Sequence, residues 1–239
     1  MGHPERIVPD HTKSGVVALH EARYRFALPS VERLDVLDAA CGVGYGTALL
    51  ATTAARVVGV DRSAEAVTYA RQRYGASNIS FYEMDVMALD LPAASFDAVC
   101  SFETIEHLAD PAGFLAELAR VLRPGGRLFV STPHVETTTH SPANPFHALE
   151  LSRTDFERLL SAHFVDIRLH GQHRLETRRH KLLRRLDVLG LRRHSAVLRR
   201  AAAPLVGSRP IDSLTPADIA IDPDRLEDAT ELLAVCTRP

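Results

Sequence analysis

The sequence predicts an α/β fold: a mostly parallel β-sheet with helices on both faces. Three observations predict it. Short apolar runs such as Val36-Leu37-Asp38 and Arg56-Val57-Val58-Gly59-Val60-Asp61 read as strands buried on both sides. Amphipathic stretches of helical period separate those runs, the alternation expected of parallel strands joined by crossover helices. The first run also passes through the small residues Ala39 to Gly44 straight into a helix-like segment, Thr47 to Ala51, giving the strand, glycine turn and helix of a nucleotide-type cofactor site.

Asp38 decides which cofactor suits the turn. A carboxylate at the strand end would repel a pyrophosphate and attract a cation, so an acid ahead of the glycines favours a sulfonium cofactor over a dinucleotide. The stretch resembles the first motif of the class I S-adenosylmethionine-dependent methyltransferases, an acid followed by Gly-x-Gly-x-Gly. Asp38 matches the acid, Gly42 and Gly44 match the second and third glycines, and Ala40 stands where the first usually is. The resemblance implies a Rossmann-like seven-stranded sheet, parallel except for an antiparallel last strand.

Taken in order, residues 1–30 form an N-terminal segment. Within it Gly15 to Ala27 is predicted helical from Val16, Val17, Leu19, Ala22 and Phe26. It precedes the first strand and is expected to act as a lid, with His20, Arg23 and Tyr24 either reaching the cofactor's carboxylate or forming a solvated face with one packing tyrosine. The methyltransferase domain is expected over 31–239. Its second strand ends at Asp61, 23 residues beyond Asp38, the interval at which such folds place a carboxylate on ribose hydroxyls, and Arg62 follows. Ser63 is the predicted cap of the next helix. A third strand, Ile79 to Met84, runs into Asp85 and Val86, which the resemblance places at the adenine. Phe96 to Phe102 is the fourth strand, with Phe102 at the reactive end of the cofactor. Asp110-Pro111 opens a helix that Arg123-Pro124-Gly125-Gly126 stops, Leu128 to Ser131 is a fifth strand, and Ser152 to Ala162 is a helix. Strands around Phe164–Leu169 and over Glu231–Cys236 complete the set. Residues 171–230 read as a basic, helical insertion before the last strand, carrying among others Arg174, Arg178, Arg179, Lys181, Arg184 and Arg185. It is expected to serve as a cap or a dimer-forming arm, or, on a sharper reading, to bind a phosphate-bearing or nucleic-acid substrate.

After the fourth strand comes Glu103-Thr104-Ile105-Glu106-His107. If helical, it places Glu103, Glu106 and His107 on one face, a set able to hold Mg²⁺ or Mn²⁺. With the later His147-Ala148-Leu149-Glu150 it resembles the metal-dependent RNA 3′-end 2′-O-methyltransferases, which implies Glu103, Glu106, His107 and His147 as metal ligands. Similar runs occur in metal-free small-molecule methyltransferases, where His107, with Glu106, would position or deprotonate the acceptor. Glu150 and Arg153 read as the start of the next helix rather than as site residues.

At 239 residues and 46% hydrophobic content, the chain can bury the core of one domain plus insertions. A net charge of −2 makes no global case for nucleic acid. Cys41, Cys100 and Cys236 fall in or beside predicted strands, as buried thiols do, rather than at disulfide or zinc spacings. No apolar run is long enough to span a bilayer, so a soluble cytoplasmic protein is expected. The favoured function is methyl transfer to an oxygen, or a nitrogen, of a small natural-product or sugar-type acceptor. The alternatives are a metal-dependent RNA-end methyltransferase, an NAD-linked oxidoreductase, and a non-catalytic cofactor-binding protein. The polar cluster Glu103, Glu106, His107, His134, His140 and His147, expected around the methyl end, argues against the last.

Overall fold

The computed structural model describes residues 7–175 and 211–239. Its centre is one sheet of nine strands: β1 (Asp35–Ala39), β2 (Arg56–Asp61), β3 (Ile79–Glu83), β4 (Phe96–Phe102), β5 (Leu122–Val135), β6 (Leu151–Ser152), β7 (Val165–Arg174), β8 (Ile219–Asp222) and β9 (Glu231–Thr237). The order across the sheet is β3-β2-β1-β4-β5-β9-β7-β8, with β6 paired to β5 beyond the end of β4. Strands β1 to β5 pair in parallel, and β9 runs antiparallel between β5 and β7. The chain therefore turns from strand pair β1–β2 to β1–β4 at the C-terminal ends of the strands, where open α/β sheets leave a crevice.

All seven expected strands are present. The two additional ones are the short β6 and the edge strand β8, which pairs antiparallel with β7. The expected bounds of the insertion are corrected by these strands: residues 171–174 continue β7, and 219–222 form β8, so strand structure occupies positions near both ends of the 171–230 segment. The basic run from Arg178 lies outside the described residues. The helix opened at Pro111 ends at Val121, just ahead of Arg123-Pro124-Gly125-Gly126 as expected, but that sequence forms a bulge within β5 rather than a turn before it, the β4 pairing jumping from Phe96↔Leu122 to Ala98↔Arg127 around Gly125 at φ 78°.

Alternation along the strands builds two apolar layers. Leu37, Val58, Val60 and Val130 face α4 (Pro111–Val121) and α5 (Arg153–Ser161), meeting Phe114, Leu118, Phe156 and Leu160. Val36, Val57, Cys100, Phe129 and Leu233 face the other way, toward Tyr24 and Ala27 of α1 (Ser14–Ala27) and Leu50 of α2 (Tyr45–Leu50). Caps fix the helix starts where short polar residues permit. The Ser63 hydroxyl accepts from the Ala66 N–H at the start of α3 (Ala64–Tyr74), and the Asp110 carboxylate accepts from the Gly113 N–H ahead of α4. Helix α1 lies against the short 3₁₀ turn Ile211–Ser213, with Gly15 so near that a Cβ there would stand 1.5 Å from the Ile211 carbonyl oxygen. The three cysteines are buried and free, as expected. Among the described residues no helix is long and apolar enough to cross a membrane.

Candidate active site

The turn after β1 has the backbone its composition anticipates. Ala40, Gly42 and Gly44 take φ values of 63°, 56° and 86°, all in the left-handed region that glycine enters at least cost. At Gly44 a Cβ would stand 2.7 Å from Ala70 Cβ and 2.8 Å from the Phe81 ring, so the turn can lie flat on α3 and β3 only with glycine there. At Gly42 a Cβ would meet nothing within 4 Å, because this stretch of backbone opens onto a cleft.

Asp38 does not face that cleft. Its side chain is fully buried and receives hydrogen bonds from the Thr47 hydroxyl at 2.6 Å and the Tyr24 hydroxyl at 3.2 Å. Burial pushes its carboxyl up to about 7 in spite of those two donors. Asp61, in contrast, lines the cleft while its two oxygens accept from the Gly42 and Ser63 N–H groups, each at 2.9 Å, so the carboxylate is fixed to the glycine turn. Arg62, Asp85 and Val86 line the same cleft, as do Tyr24, Ala40, Phe102 and His107.

The stretch after β4 differs from its expected form. Glu103 has φ 51°, and only Ile105–His107 is helical, as a single 3₁₀ turn, so the side chains do not share an α-helical face. Glu103 is instead tied to β5 and α1: its N–H donates to the Ser131 hydroxyl at 3.1 Å, that hydroxyl donates to Glu103 Oε1 at 2.7 Å, and Arg23 Nη2 lies 3.5 Å from Oε2. The four-ligand metal set is corrected accordingly. Ligand atoms of Glu106, His107 and His147 come within 4.8 Å of one another, and Glu103 is not among them. His147 bonds Glu150 through Nδ1 at 2.7 Å and Asn144 through Nε2 at 2.9 Å. His107 Nδ1 lies 2.9 Å from the Phe146 carbonyl, which fixes this nitrogen as the donor and assigns acceptor character to Nε2 in the neutral ring. His134 bonds the Ala229 carbonyl and His140 is exposed in a loop, and neither lines the cleft, nor do Glu106 and His147, so of the expected cluster only Glu103 and His107 line it.

Residues 37–130 match the family model described as "Methyltransferase domain". A probable S-adenosylmethionine-dependent methyltransferase of Mycobacterium tuberculosis is 36% identical over 98% of this chain and 88% of its own length. The chain is a class I S-adenosylmethionine-dependent methyltransferase. A similarly named Mycolicibacterium smegmatis protein is 33% identical over 92% of this methyltransferase and 88% of its own length. Among solved structures, the N-methyltransferase NodS of Bradyrhizobium japonicum, in complex with S-adenosylhomocysteine, shares the fold at TM-score 0.60 and 15% identity, covering 98% of this chain and 93% of that one. Membership sets aside the NAD-linked oxidoreductase and supplies S-adenosylmethionine as the cofactor.

The residues of this methyltransferase suit that cofactor: a cradle at Gly42 that a Cβ would fill, and acids at successive strand ends along one cleft. The structure also adds cleft residues with weak sequence signals. Tyr45 follows Gly44 directly, Leu108 follows His107, and Phe146 sits alone in a polar loop, 43% exposed. Ile7 and Thr104 complete the wall, and His20 joins it from α1, its imidazole pushed well below the usual histidine range by burial and by Arg23. Arg23 does not line the cleft. It donates to Gln172 Oε1 at 2.9 Å and lies 3.9 Å from Glu231.

Proposed function

We propose that this methyltransferase transfers the methyl group to an oxygen of a small acceptor of natural-product or sugar type, with His107 as the general base. One observation carries the reading: His107 stands in the same cleft as Asp61, Asp85 and Gly42, with its tautomer held by the Phe146 carbonyl. Asp61 would take the ribose hydroxyls, Asp85 and Val86 the adenine, and the Gly42 backbone the start of the methionine chain. The bound cofactor supplies an electrophilic methyl group on a sulfonium. Phe102, Leu108 and Phe146 exclude water from the acceptor's side, and Nε2 of His107 receives the acceptor's hydroxyl proton. Holding the acceptor oxygen in line is the main contribution of such a site. Relatives matching under half of the chain are named O-methyltransferases, among them a ubiquinone biosynthesis enzyme of Methylocella silvestris. Solved neighbours include N-methyltransferases, so a nitrogen acceptor is the nearest variant of this reading.

The test is S-adenosylhomocysteine release from a panel of phenols, sugar hydroxyls and amines. With an accepted hydroxyl compound, His107→Gln should lower kcat by about 10²–10⁴-fold while binding S-adenosylhomocysteine normally. Full turnover by that variant would remove His107 from the chemistry.

A divalent cation is the second reading, favoured by the approach of Glu106, His107 and His147 within 4.8 Å. These three residues would hold it, His147 through Nε2 in exchange for its bond to Asn144, while Glu150 would orient the ring through Nδ1 as outer carboxylates do. Its chemistry would be to acidify the acceptor hydroxyl. Calorimetric titration of Mn²⁺ into wild type and His147→Ala tests it: saturable binding lost in the variant supports it, and no binding in the wild type ends it.

A further inference from the structure

We infer that Glu103 is the carboxylate that receives the α-ammonium group of the cofactor. This inference rests on the cofactor reading above, and it moves a role that sequence order gives to Asp38 onto a residue 65 positions later.

The cofactor brings an α-ammonium, an α-carboxylate and a sulfonium to one end of the cleft, and a protein carboxylate beside the ammonium is its natural charge-assisted partner. Asp38 cannot serve as one, because it is fully buried, lines no part of the cleft, and is occupied by the Thr47 and Tyr24 hydroxyls. Three carboxylates do line the cleft among the described residues: Asp61, Asp85 and Glu103. Asp61 is pinned beside the glycine turn by two backbone donors, and Asp85 stands beyond β3, past the strand that bears Asp61. Glu103 stands at the far side of the β1–β4 crevice with Tyr24, Phe102 and Thr104, where the chain end of a ligand lying along Asp85 and Asp61 must arrive.

Three features show that its position is built. Glu103 adopts φ 51°, a conformation that costs a non-glycine residue about 1 kcal/mol or more and persists only when its surroundings impose it. The reciprocal pair of bonds with Ser131 imposes it, fixing backbone and carboxylate through one hydroxyl. Arg23 approaches Oε2 to only 3.5 Å, longer than a charge-assisted hydrogen bond, while its own Nη1 is buried without a hydrogen-bond partner. The guanidinium thus balances Glu103 without forming a close hydrogen bond to it, and the Glu103 side chain keeps 17% of its surface exposed in a residue that lines the cleft. Arg23 is itself braced by Gln172 on β7 and by Glu231 on β9, a carboxyl that burial pushes upward. Arg23 is a positioning residue in this scheme, acting through Glu103.

A two-by-two binding comparison tests the inference without any acceptor. Calorimetry would measure S-adenosylhomocysteine and its des-amino analogue, the adenosyl thioether of 4-thiobutyrate, on wild type and Glu103→Gln. The wild type should prefer the amino compound by at least about tenfold, the size of one charge-assisted hydrogen bond, and Glu103→Gln should hold the two within about twofold. Equal weakening of both ligands by Glu103→Gln, or a wild type indifferent to the amino group, overturns the assignment. Ser131→Ala, which releases the carboxylate but keeps its charge, should reduce the same preference and serves if Glu103→Gln does not fold. Failure of the wild type to bind either compound would instead refute the cofactor reading itself.

Discussion

Replacing Asp38 by asparagine should stabilise the cofactor-free protein, and by an amount that depends on pH in a defined way. Asparagine keeps the shape, with a carbonyl to accept from Thr47 and an amide to reach Tyr24, but it carries no charge. In the wild type the carboxyl titrates near 7 when folded against an ordinary 3.8, so between those values the folded state holds a proton that the unfolded chain has released. Stability therefore falls by about 1.4 kcal/mol per pH unit across that window and levels off above it, a total of about 4 kcal/mol. At pH values well below 3.8 both states are protonated and the site's titration contributes nothing to the pH dependence. The neutral variant escapes the loss. Its advantage over wild type should accordingly grow by about 2 kcal/mol from pH 5 to 7 and level off at higher pH, which for a chain of this size widens the Tm difference by about 4–8 °C. Thermal and urea denaturation of both proteins at several pH values, without cofactor, measure it, and titrations elsewhere in the chain cancel in the difference. A gap that is the same at pH 5 and pH 8 would show that burial does not hold the proton on Asp38, and the reasoning from its environment would fail.

Three further substitutions probe the same turn. Ala40→Gly removes a Cβ from a left-handed residue and should raise stability by about 0.5–1 kcal/mol, since relief of φ 63° outweighs the freer unfolded chain; a lower urea midpoint would contradict it. Gly46→Ala would put a Cβ 2.0 Å from the Tyr24 ring, so it should cost about 1–3 kcal/mol and weaken S-adenosylhomocysteine binding by displacing α1, read by urea titration and calorimetry. Gly42→Val projects its side chain into the open cleft and should abolish cofactor binding, and at φ 56° the β-branched residue should also lower the urea midpoint; retained micromolar affinity would place the cofactor elsewhere.

The sheet was legible because parallel strands buried on both faces leave continuous apolar runs, and its helix starts were legible because Ser63 and Asp110 cap them through their own side chains. The elements that escaped are those whose order comes from distant partners. β8, Ile219–Asp222, is half-buried and gains its strand form from pairing with β7, whose partner residues Gly171 to Arg174 lie far earlier in the chain. The later part of β7 carries His170, Gln172 and His173, polar residues that extend as strand because β9 and β8 flank them. Glu103 escaped for a more local reason. An i, i+3, i+4 pattern predicts a shared face only if the helix begins at its first residue, and here the strand exit takes a left-handed turn before one 3₁₀ turn forms. Nothing near Arg23 in sequence foretells its burial, because its hydrogen-bond partner Gln172 lies 149 residues away.

The position of Asp38 gives α1 and the glycine turn a common fate. Its acceptor capacity is shared between Thr47, which belongs to α2 just beyond the turn, and Tyr24, which belongs to α1. The Tyr24 ring lies over Gly46 and meets Phe102 edge-on at a centroid distance of 4.9 Å, and Tyr45 at 5.9 Å. Each such aromatic pair contributes about 0.5–1.5 kcal/mol beyond the area it buries, so α1 is held by several contacts that all end on the turn or beside it. Lifting α1 would expose an acid that burial keeps near 7 and would break its bond to Tyr24, while Arg23, one residue earlier, would leave Glu103. A docked α1, an ordered glycine turn and a balanced Glu103 therefore go together: Asp38 ties α1 to the turn through Tyr24 and Thr47, while Ser131 and, from the same α1, Arg23 hold Glu103.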